Sequence, residues 1–520
     1  MASALAIACI VFVLYLPTLR SDFVNWDVDK YVVDNPNIRD INLSFIRYLF
    51  TPEGYPPITM LSFAIDYAFW GLNPLGYHLT NIVFHAFSTF LVFLLVVRLI
   101  ECRNQPSSFD PHPSILISAS VTAFLFGIHP LNVEPVAWVM GRGNLISPLF
   151  FFLSLIAYLK YNTVSGKRRW VFYTLCFLSY ALSLMSKPIS ASLPIVLLII
   201  DLFLLRRTEN ENIRTVLIEK LPFFLIGLIW FVVTAWARSN WTPTSFEPVG
   251  VDSVFVVIRA VSFYLIKILF PIYLAPIYPY PEVIDVLSFE YTGPIVLLSV
   301  ITLSCILYAE RNSLYLAIWL FYLASLLPTL LPLLGFYRIG QHAEADRYAY
   351  LSALGPFILI GLGVGYLFQR DYLKKYRIVT AIALTLVTGI LINKTINQMG
   401  IWYDSITLWT HEIKVFPHTA TIAYYNRGNA YAEINSYSQA IEDYNKAIEL
   451  DPKHFKAYTN RGNAYYMLGN YHRAIDDYTR AIGINPSHTR AYSNRGNSYS
   501  KLGDYEKATK DYSKVRLSRE

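Results

Sequence analysis

Four carboxylates follow the first apolar segment, in a loop that also carries aromatic and β-branched residues. Asp27 and Asp29 lie two positions apart, next to Trp26. In an extended segment such side chains share a face, so the two carboxylates would act together. One could serve as a general base while the other orients it or binds a cation, and an apolar wall would raise the pKa of the base. Asp22 and Asp40 suit ordinary solvated positions instead.

Two further polar clusters lie in stretches interrupted by proline or glycine. GIHPLNVEPVAWVMGRGN contains His129, Glu134 and Arg142, and GFYRIGQHAEADRYAYLS contains two cations beside Asp346. A metal site in the first cluster lacks a third ligand at a fixed spacing. Arginine offers bidentate contacts to a phosphate headgroup and lysine offers a point charge, although each cation alone could equally contact lipid. The candidate phosphate-binding cations are Lys187, Arg259, Lys267, Arg338 and Arg347.

The composition indicates a membrane protein. Of 520 residues, 54% are hydrophobic and 15% are charged, whereas soluble domains average about 25% charged residues. The four cysteines have no disulfide or metal-site spacing, which argues against a disulfide-stapled domain and a zinc module. The net charge of +7 comes without a basic tract, so no nucleic-acid partner is expected.

Eleven apolar stretches are candidate membrane crossings, because about 20 apolar residues span the hydrocarbon core. They are residues 2–19, 78–98, 114–129, 145–161, 170–186, 188–205, 216–236, 293–309, 313–334, 349–368 and 377–397. A twelfth stretch, 253–275, contains two cations and Pro271. If it is re-entrant or interfacial, the basic loops share one side, as the positive-inside rule requires. The N-terminus is then cytoplasmic, and 20–77 is the first external loop.

A strict 34-residue repeat follows the membrane part. NRGNAYAEI, NRGNAYYML and NRGNSYSKL begin at Asn426, Asn460 and Asn494. Small residues where paired helices cross, with prolines between units, are typical of a tetratricopeptide (TPR) α-solenoid. The sequence thus predicts an all-α protein with a polytopic membrane domain over 1–400 and an extracytoplasmic TPR domain over 401–520. We expect a leading half repeat at 402–417 and repeats at about 421–454, 455–488 and 489–520.

Several motifs, in this order, resemble those of one known family. FVNWDVDKYVVDNPNI, YPPITMLSFAIDYAFWGLNPLGYHLTN, HPLNVEPVAW, GRGNLIS, LMSKP and ADRYAYL resemble the membrane half of TPR-bearing GT-C glycosyltransferase-like proteins. That family includes transmembrane TPR protein O-mannosyltransferases and bacterial homologues. The resemblance implies a GT-C fold and an inverting transfer of a sugar, with mannose one candidate, from a polyprenyl-phosphate carrier to a protein or glycan hydroxyl. The transfer would take place on the extracytoplasmic face.

The resemblance also implies roles for the polar residues. An essential acidic residue lies in the first external loop of the family, which points to Asp27 as the base and Asp29 as second choice. This chain has Asp-Val-Asp where relatives often have an adjacent acidic pair, and Pro56 where some have arginine. The five cations named above would bind the donor phosphate. The residues that would orient the acceptor are His129, Glu134, Arg142 and Asp346, and Glu134 could instead hold a divalent cation.

Two other classes of protein compete with the enzyme. A non-enzymatic membrane anchor would display the TPR groove as a scaffold for envelope assembly, and its first-loop aspartates would be replaceable. A transporter would carry ionisable residues at the membrane midplane, whereas here they gather near predicted helix ends. In either the enzyme or the scaffold the TPR groove would bind a protein, as acceptor or partner. Sparse cysteine and the lack of a sorting signal favour a prokaryotic plasma membrane.

Overall fold

The computed structural model describes residues 1–104, 112–239, 251–281, 284–331, 333 and 342–517. The contacts within the chain divide it into two compact units. The first, called here the membrane unit, consists of Met1–Ser21 and Asp27–Trp402. The second, called the TPR unit, consists of Asp22–Trp26 and Tyr403–Glu520.

The membrane unit is helical almost throughout its described residues. Its α-helices are α1 Ala2–Tyr15, α2 Leu43–Tyr48, α3 Pro57–Trp70, α4 Pro74–Asn104, α5 Pro113–Ile128, α6 Val133–Ala137, α7 Gly143–Thr163, α8 Lys167–Ser186, α9 Leu193–Ile199, α10 Arg207–Asn210, α11 Ile213–Ser239, α12 Val251–Leu269, α13 Phe289–Tyr308, α14 Ser313–Leu330, α15 Ala349–Ser352, α16 Leu354–Gln369 and α17 Lys374–Ile401. Short 3₁₀ turns cover Leu16–Arg20, Pro36–Ile38, Pro130–Asn132, Val139–Arg142, Pro188–Ser190, Asp346–Tyr348 and Asp371–Leu373, and π-helical turns cover Asp29–Val33 and Ile200–Leu204.

Seven helices among the described residues are long and apolar enough to cross a membrane. They are Ala2–Arg20, Pro74–Arg103, Val139–Thr163, Ile213–Ala237, Phe289–Tyr308, Ser313–Leu330 and Lys374–Ile401. Two bent pairs, Pro113–Ile128 with Pro130–Ala137 and Asp346–Ser352 with Leu354–Gln369, raise the number to nine if each pair is one span. The other two predicted crossings correspond to α8 and to the shorter apolar helix Pro188–Leu204. The predicted all-α, multi-pass architecture is therefore confirmed.

Helices α5 and α16 approach closely because two glycines of α16 face α5. A Cβ atom at Gly361 would lie 2.2 Å from Thr122 Oγ1, and one at Gly365 would lie 2.0 Å from Ser118 Oγ. Glycines four positions apart share a helix face and let two helices pack at short range in a membrane. This pairing holds the turn that follows α5 beside the turn that precedes α16.

One short antiparallel ladder is present among the described residues, close to those two turns. Strand β1, Tyr278–Pro279, pairs with β2, His342–Glu344, and places Tyr278 opposite Glu344. The ambiguous stretch 253–275 is helical only up to Leu269, and the chain then runs in irregular backbone to β1. The ladder therefore brings the end of this stretch to the segment before α16.

The TPR unit contains one leading helix and three helix pairs. The helices are α18 Ser405–Val415, α19 Thr421–Glu433, α20 Tyr437–Leu450, α21 Phe455–Met467, α22 Tyr471–Ile484, α23 Thr489–Lys501 and α24 Tyr505–Leu517. Each pair closes on a glycine of the NRGN motif. A Cβ atom at Gly428 would lie 2.8 Å from a ring carbon of Tyr444, and Gly462 and Gly496 face the equivalent tyrosines at 2.7 Å. The 34-residue repeat thus reflects this packing, in which each glycine leaves room for a tyrosine ring that a Cβ atom would obstruct.

The arginine of each NRGN motif is held by an aspartate of the following helix. Arg461 Nε and NH2 donate to the two carboxylate oxygens of Asp477 at 2.8 and 2.6 Å. Arg427 with Asp443 and Arg495 with Asp511 repeat the arrangement. Bidentate geometry fixes the angle between the paired helices better than a single contact would.

The first-loop residues Asp22–Trp26 fold as part of the TPR unit. Asp22 N–H donates to Tyr403 O, and Asn25 N–H donates to Ser405 Oγ, both at 2.9 Å. The Asn25 amide donates to Asn426 O at 2.9 Å and accepts from Trp409 Nε1 at 2.7 Å. These bonds join a segment from the start of the chain to α18 and α19.

Candidate active site

The turn after α5 and the turn before α16 meet in a buried ion pair. The backbone N–H of Arg347 donates to Glu134 Oε2 at 2.7 Å, and its guanidinium donates to Glu134 Oε1. Both side chains are buried. The guanidinium also lies over the Trp138 ring at 5.2 Å from its centroid. The pair and its added contacts hold Arg347 in one position.

A second carboxylate, Asp346, stands next to this pair. It is buried and accepts from Tyr278 OH at 2.8 Å. Tyr278 OH in turn accepts from Ala275 N–H at 3.0 Å, so the backbone after α12 positions the phenol. Glu134 and Asp346 therefore lie close to Arg347, and Lys267 also acts electrostatically on Asp346.

Lys267 lies at the end of α12 and faces the same group. Its ammonium donates to the carbonyls of Ile272 and Tyr273 at 2.6 and 3.0 Å. An ammonium has three donors, so these two bonds leave one for another acceptor. The charges of Asp346 and Glu344 attract it.

Glu344 of β2 is the least satisfied carboxylate of the described site. It is fully buried, and neither carboxylate oxygen has a hydrogen-bond partner. Arg259 NH1 lies 3.4 Å from Glu344 Oε1, while Arg259 Nε lies 2.9 Å from Glu290 Oε1. Burial raises the pKa of Glu344 to about 7, against the opposing charges of Arg259 and Lys267. We use "Arg347 cluster" for Glu134, Lys267, Tyr278, Glu344, Asp346 and Arg347.

Asp27 lies two residues before the π-helical turn Asp29–Val33 and is an exposed residue. Its backbone has φ of 64°, a left-handed conformation that aspartate and asparagine adopt more readily than most residues. Desolvation by the surrounding protein raises the pKa of its carboxyl, while Lys30 and Arg347 oppose this rise. The structure thus brings Asp27 within electrostatic range of Arg347.

Asp29 has different neighbours. It opens the π-helical turn, and its carbonyl accepts from Asp34 N–H at 2.7 Å. Burial raises the pKa of the Asp29 carboxyl, and the negative charges of Asp34 and Asp27 add to the rise. The charges that act most strongly on Asp29 are thus acidic, whereas those that act on Asp27 are cationic.

The remaining predicted residues divide between this site and other places. Lys187, half-buried after α8, acts electrostatically on Glu134. Both ring nitrogens of His129 are occupied, since Nε2 donates to Ile268 O at 3.0 Å and Nδ1 accepts from Leu131 N–H at 3.3 Å. His129 therefore shapes the turn that carries Glu134. Arg338 lies outside the described residues.

Arg142 belongs to a separate, fully buried group. Its NH1 lies 2.5 Å from Asp66 Oδ2, its Nε donates to Asn81 Oδ1 at 2.8 Å, and its NH2 donates to Tyr77 O at 2.8 Å. These contacts connect α3 and α4 to the start of α7. Arg142 therefore has a structural role, because it holds these helices together.

Two members of the Arg347 cluster were absent from the predicted site. Glu344 lies two positions before Asp346 in the AEADRY stretch, and this spacing is the sequence signal that could have identified it. Tyr278 stands in the run YPYP, with no spacing that relates it to Asp346, 68 positions later. No group of three or more His, Cys, Asp or Glu residues suited to a metal ion occurs in the described part of the chain.

The arrangement combines two chemical capacities. Asp27 is an exposed residue whose carboxyl has a raised pKa and lies within electrostatic range of a fixed guanidinium, which suits a general base. The cations Arg347, Lys267, Arg259 and Lys187 surround buried carboxylates and could bind developing negative charge on a phosphate.

Comparison with known proteins identifies the repeats and relatives that match most of the chain. The TPR repeat family matches residues 428–469, and the tetratricopeptide repeat family matches 455–488 and 489–516. The protein O-mannosyl-transferase F38B6.6 of Caenorhabditis elegans is 25% identical over 470 residues, which covers 85% of this chain and 61% of that protein. Protein O-mannosyl-transferase TMTC1 of Homo sapiens is 24% identical over 504 residues, covering 85% and 54%.

This chain therefore spans only part of the length of these relatives. Among solved structures, the second TPR domain of Spaghetti (RPAP3) with an HSP90 peptide is 31% identical over 19% of this chain and 94% of that one, with a TM-score of 0.19. The predicted TPR repeats are confirmed, as is the resemblance of most of the chain to transmembrane TPR O-mannosyltransferases.

Proposed function

We propose that this chain, homologous over most of its length to TMTC-type protein O-mannosyl-transferases, is a membrane glycosyltransferase. It would move a sugar from a polyprenyl-phosphate carrier to a hydroxyl of a protein or glycan. The observation that carries the proposal is the position of Asp27, an exposed residue within electrostatic range of the buried Arg347. The names of the relatives support sugar transfer and suggest mannose.

In the proposed reaction Asp27 is the general base. The acceptor hydroxyl gives its proton to the Asp27 carboxylate while its oxygen forms a bond to the anomeric carbon of the donor. The bond between that carbon and the phosphate oxygen breaks, and the electron pair leaves with the lipid phosphate. One displacement of this kind inverts the anomeric centre.

The cations of the site would stabilise the phosphate charge that develops in this step. Arg347 is the strongest candidate because Glu134 holds it in place and it lies within electrostatic range of Asp27. Lys267 has one donor beyond its two backbone bonds. Lys187 and Arg259 extend the proposed phosphate site, and Arg338, which lies outside the described residues, stays a prediction from the sequence.

The proposal includes a place in the cell and a role for the TPR unit. We place the reaction on the extracytoplasmic face of a prokaryotic plasma membrane, with the TPR unit on that face, binding the acceptor or a partner protein. The positive-inside argument from the basic loops supports this side, and the solenoid architecture supports a binding groove.

Sugar transfer in membranes tests the proposal. Membranes containing the chain receive a radiolabelled polyprenyl-phosphate mannose, and label in protein and glycan is measured at matched protein levels. We expect transfer by the wild type and a loss of about 10²- to 10⁴-fold in Asp27→Asn, since a general base contributes that much. Asp40→Asn makes the same chemical change at an exposed position of the same loop and should keep the wild-type rate.

The variants also separate the two aspartates and the competing scaffold. A loss of sugar transfer confined to Asp29→Asn would identify Asp29 as the general base. Equal sugar transfer by all variants would show that neither Asp27 nor Asp29 is the general base. Lack of transfer with polyprenyl-phosphate mannose and glucose alike would favour the non-enzymatic TPR scaffold.

A further inference from the structure

The membrane unit contains a large cavity away from the Arg347 cluster. It has a volume of about 660 Å³, within the ~300–1,000 Å³ typical of ligand pockets. Its wall is mainly apolar and comes from α4, α5, α9, α14 and α16, with residues such as Leu95, Ile199 and Phe321. A wall of this composition suits a hydrocarbon chain.

The polar end of the cavity lies at the opposite end of α5 from the candidate active site. Ser114 at the start of α5 lines the cavity, whereas His129 directly follows the end of the helix. At 1.5 Å per residue, the sixteen residues of α5 separate the two places by about 24 Å. A phosphate bound at this end of the cavity is therefore too far from Asp27 to be the leaving group of the proposed reaction.

The polar end is cationic. Arg103, at the end of α4, lines the cavity and donates to Asn312 Oδ1 at 2.7 Å. The described residues place no carboxylate within ion-pair distance of Arg103, and Arg206 lies close enough for the two like charges to interact. The Arg103 guanidinium at the end of an apolar cavity matches the phosphate and the chain of an anionic lipid.

We propose that this cavity is a binding site for an anionic phospholipid of the surrounding membrane, with one hydrocarbon chain among α4, α5, α14 and α16 and the phosphate at Arg103. Basic pockets between membrane helices bind lipid headgroups in this way. The polyprenyl-phosphate donor is the less suitable occupant because its phosphate must reach the Arg347 cluster.

Two matched pairs of variants test the two parts of the site. Gly363 lines the cavity on α16, and Gly389 lies on α17 outside the cavity lining. Beyond each glycine's own helix backbone and chain neighbours, no described atom lies within 4 Å of either Cβ position. Gly363→Leu therefore fills the cavity without a backbone clash, and Gly389→Leu is its control. Arg103→Gln removes the charge at the polar end, while Arg98→Gln removes the half-exposed charge that pairs with Glu101 on the same helix.

The measurement is native mass spectrometry of the purified, delipidated full chain with phosphatidylglycerol or phosphatidylcholine of identical acyl chains. We expect the wild type to retain one phosphatidylglycerol in preference to phosphatidylcholine. Arg103→Gln should lower this preference about tenfold, since a charged hydrogen bond contributes about 1.5–3 kcal/mol. Gly363→Leu should lose the bound lipid, and both controls should keep it.

Three results would overturn the proposal. The first is equal retention of the two phospholipids by the wild type. The second is unchanged retention in both Gly363→Leu and Arg103→Gln, and the third is displacement of phosphatidylglycerol by an equimolar polyprenyl phosphate. None of these readouts requires sugar transfer, so the test stands whether or not the proposed enzyme activity is found.

Discussion

Two of the buried polar networks in the described part of the membrane unit differ in how completely their charges are paired. The first, called here the α11 network, consists of Tyr158, Asp201, Arg207, Glu219 and Lys220. Lys220 Nζ lies 2.5 Å from Asp201 Oδ2, and Tyr158 OH donates to Asp201 at 2.6–2.7 Å. Arg207 NH1 lies 2.8 Å from Glu219 Oε2. Each carboxylate in this network has a cation and further donors.

The Arg347 cluster is paired less completely. Glu134 and Asp346 have hydrogen-bond partners, but both carboxylate oxygens of Glu344 lack one. Asp27, within electrostatic range of Arg347, is an exposed residue. A fully paired buried network fixes a structure, whereas buried groups left short of partners are costly unless function retains them. The difference suits a structural role for the α11 network and supports the chemical role that we propose for the Arg347 cluster.

The largest expected effect is on stability, in the α11 network. Lys220→Met leaves the buried Asp201 without its ammonium, which should cost about 3–5 kcal/mol. Denaturant titration of the purified protein in detergent measures the loss of unfolding free energy. The exposed Lys160 provides the control, since Lys160→Met should change stability by no more than about 0.5 kcal/mol. Equal stability of the two variants would contradict a structural role for the network.

The next effect should fall on activity, in the Arg347 cluster. Glu134→Gln keeps an acceptor for the Arg347 backbone N–H but removes the charge that holds the guanidinium. A misplacement of about 1 Å at a reacting group can cost ~100-fold in rate, so we expect transfer to fall by about that factor. The folded yield, measured by size-exclusion chromatography, should stay near wild type. The comparison fails if Glu134→Gln lowers the folded yield as much as Lys220→Met does.

The smallest effect concerns the pH dependence of stability. The pKa of Glu344 is raised from an ordinary 4.5 to about 7 in the folded protein, so between these values the folded state binds more protons than the unfolded state. Stability from this group therefore falls as pH rises from about 4.5 to about 7 and stays low above that. Glu344→Gln should match wild type near pH 4.5 and exceed it at pH 8 by at most about 3 kcal/mol, since one pKa unit corresponds to ~1.4 kcal/mol.

Melting curves of wild type, Glu344→Gln and Glu209→Gln across this pH range measure the difference. The Glu209 side chain is 63% exposed, so its variant should follow the wild type at every pH. A wild-type curve with the same pH dependence as Glu344→Gln would show that Glu344 has an ordinary pKa.

The sequence predicted the repeat unit in detail because its determinants are local. The glycine of each NRGN motif meets a tyrosine sixteen positions later, as Gly428 meets Tyr444, so a fixed period carries the contact. Most membrane helices were also predictable from apolar length. The apolar signal of α8 is weaker because the helix begins with Lys167, Arg168 and Arg169. Pro188–Leu204 is shorter than the other spans.

The site was predictable only in part because its contacts join distant positions. Glu134 and Arg347 were candidates by residue type, yet 213 positions separate them in the chain. Arg142 looked equivalent to these two, but its partner Asp66 stands in α3, where the sequence has an apolar helix. The pairing of cations with carboxylates depends on helix packing, such as that of α5 against α16. No local sequence pattern predicts this pairing.

The central claim is that Asp27 is the base of a sugar transfer at the Arg347 cluster. Its most direct test is the initial rate of transfer from polyprenyl-phosphate mannose as a function of pH, in wild type and Asp27→Asn. Because desolvation raises the pKa of Asp27, the wild-type rate should fall on the acid side at a pH above the ordinary aspartate value of about 4, and Asp27→Asn should be inactive at every pH. A wild-type rate in Asp27→Asn, with the same acid limb, would contradict the claim.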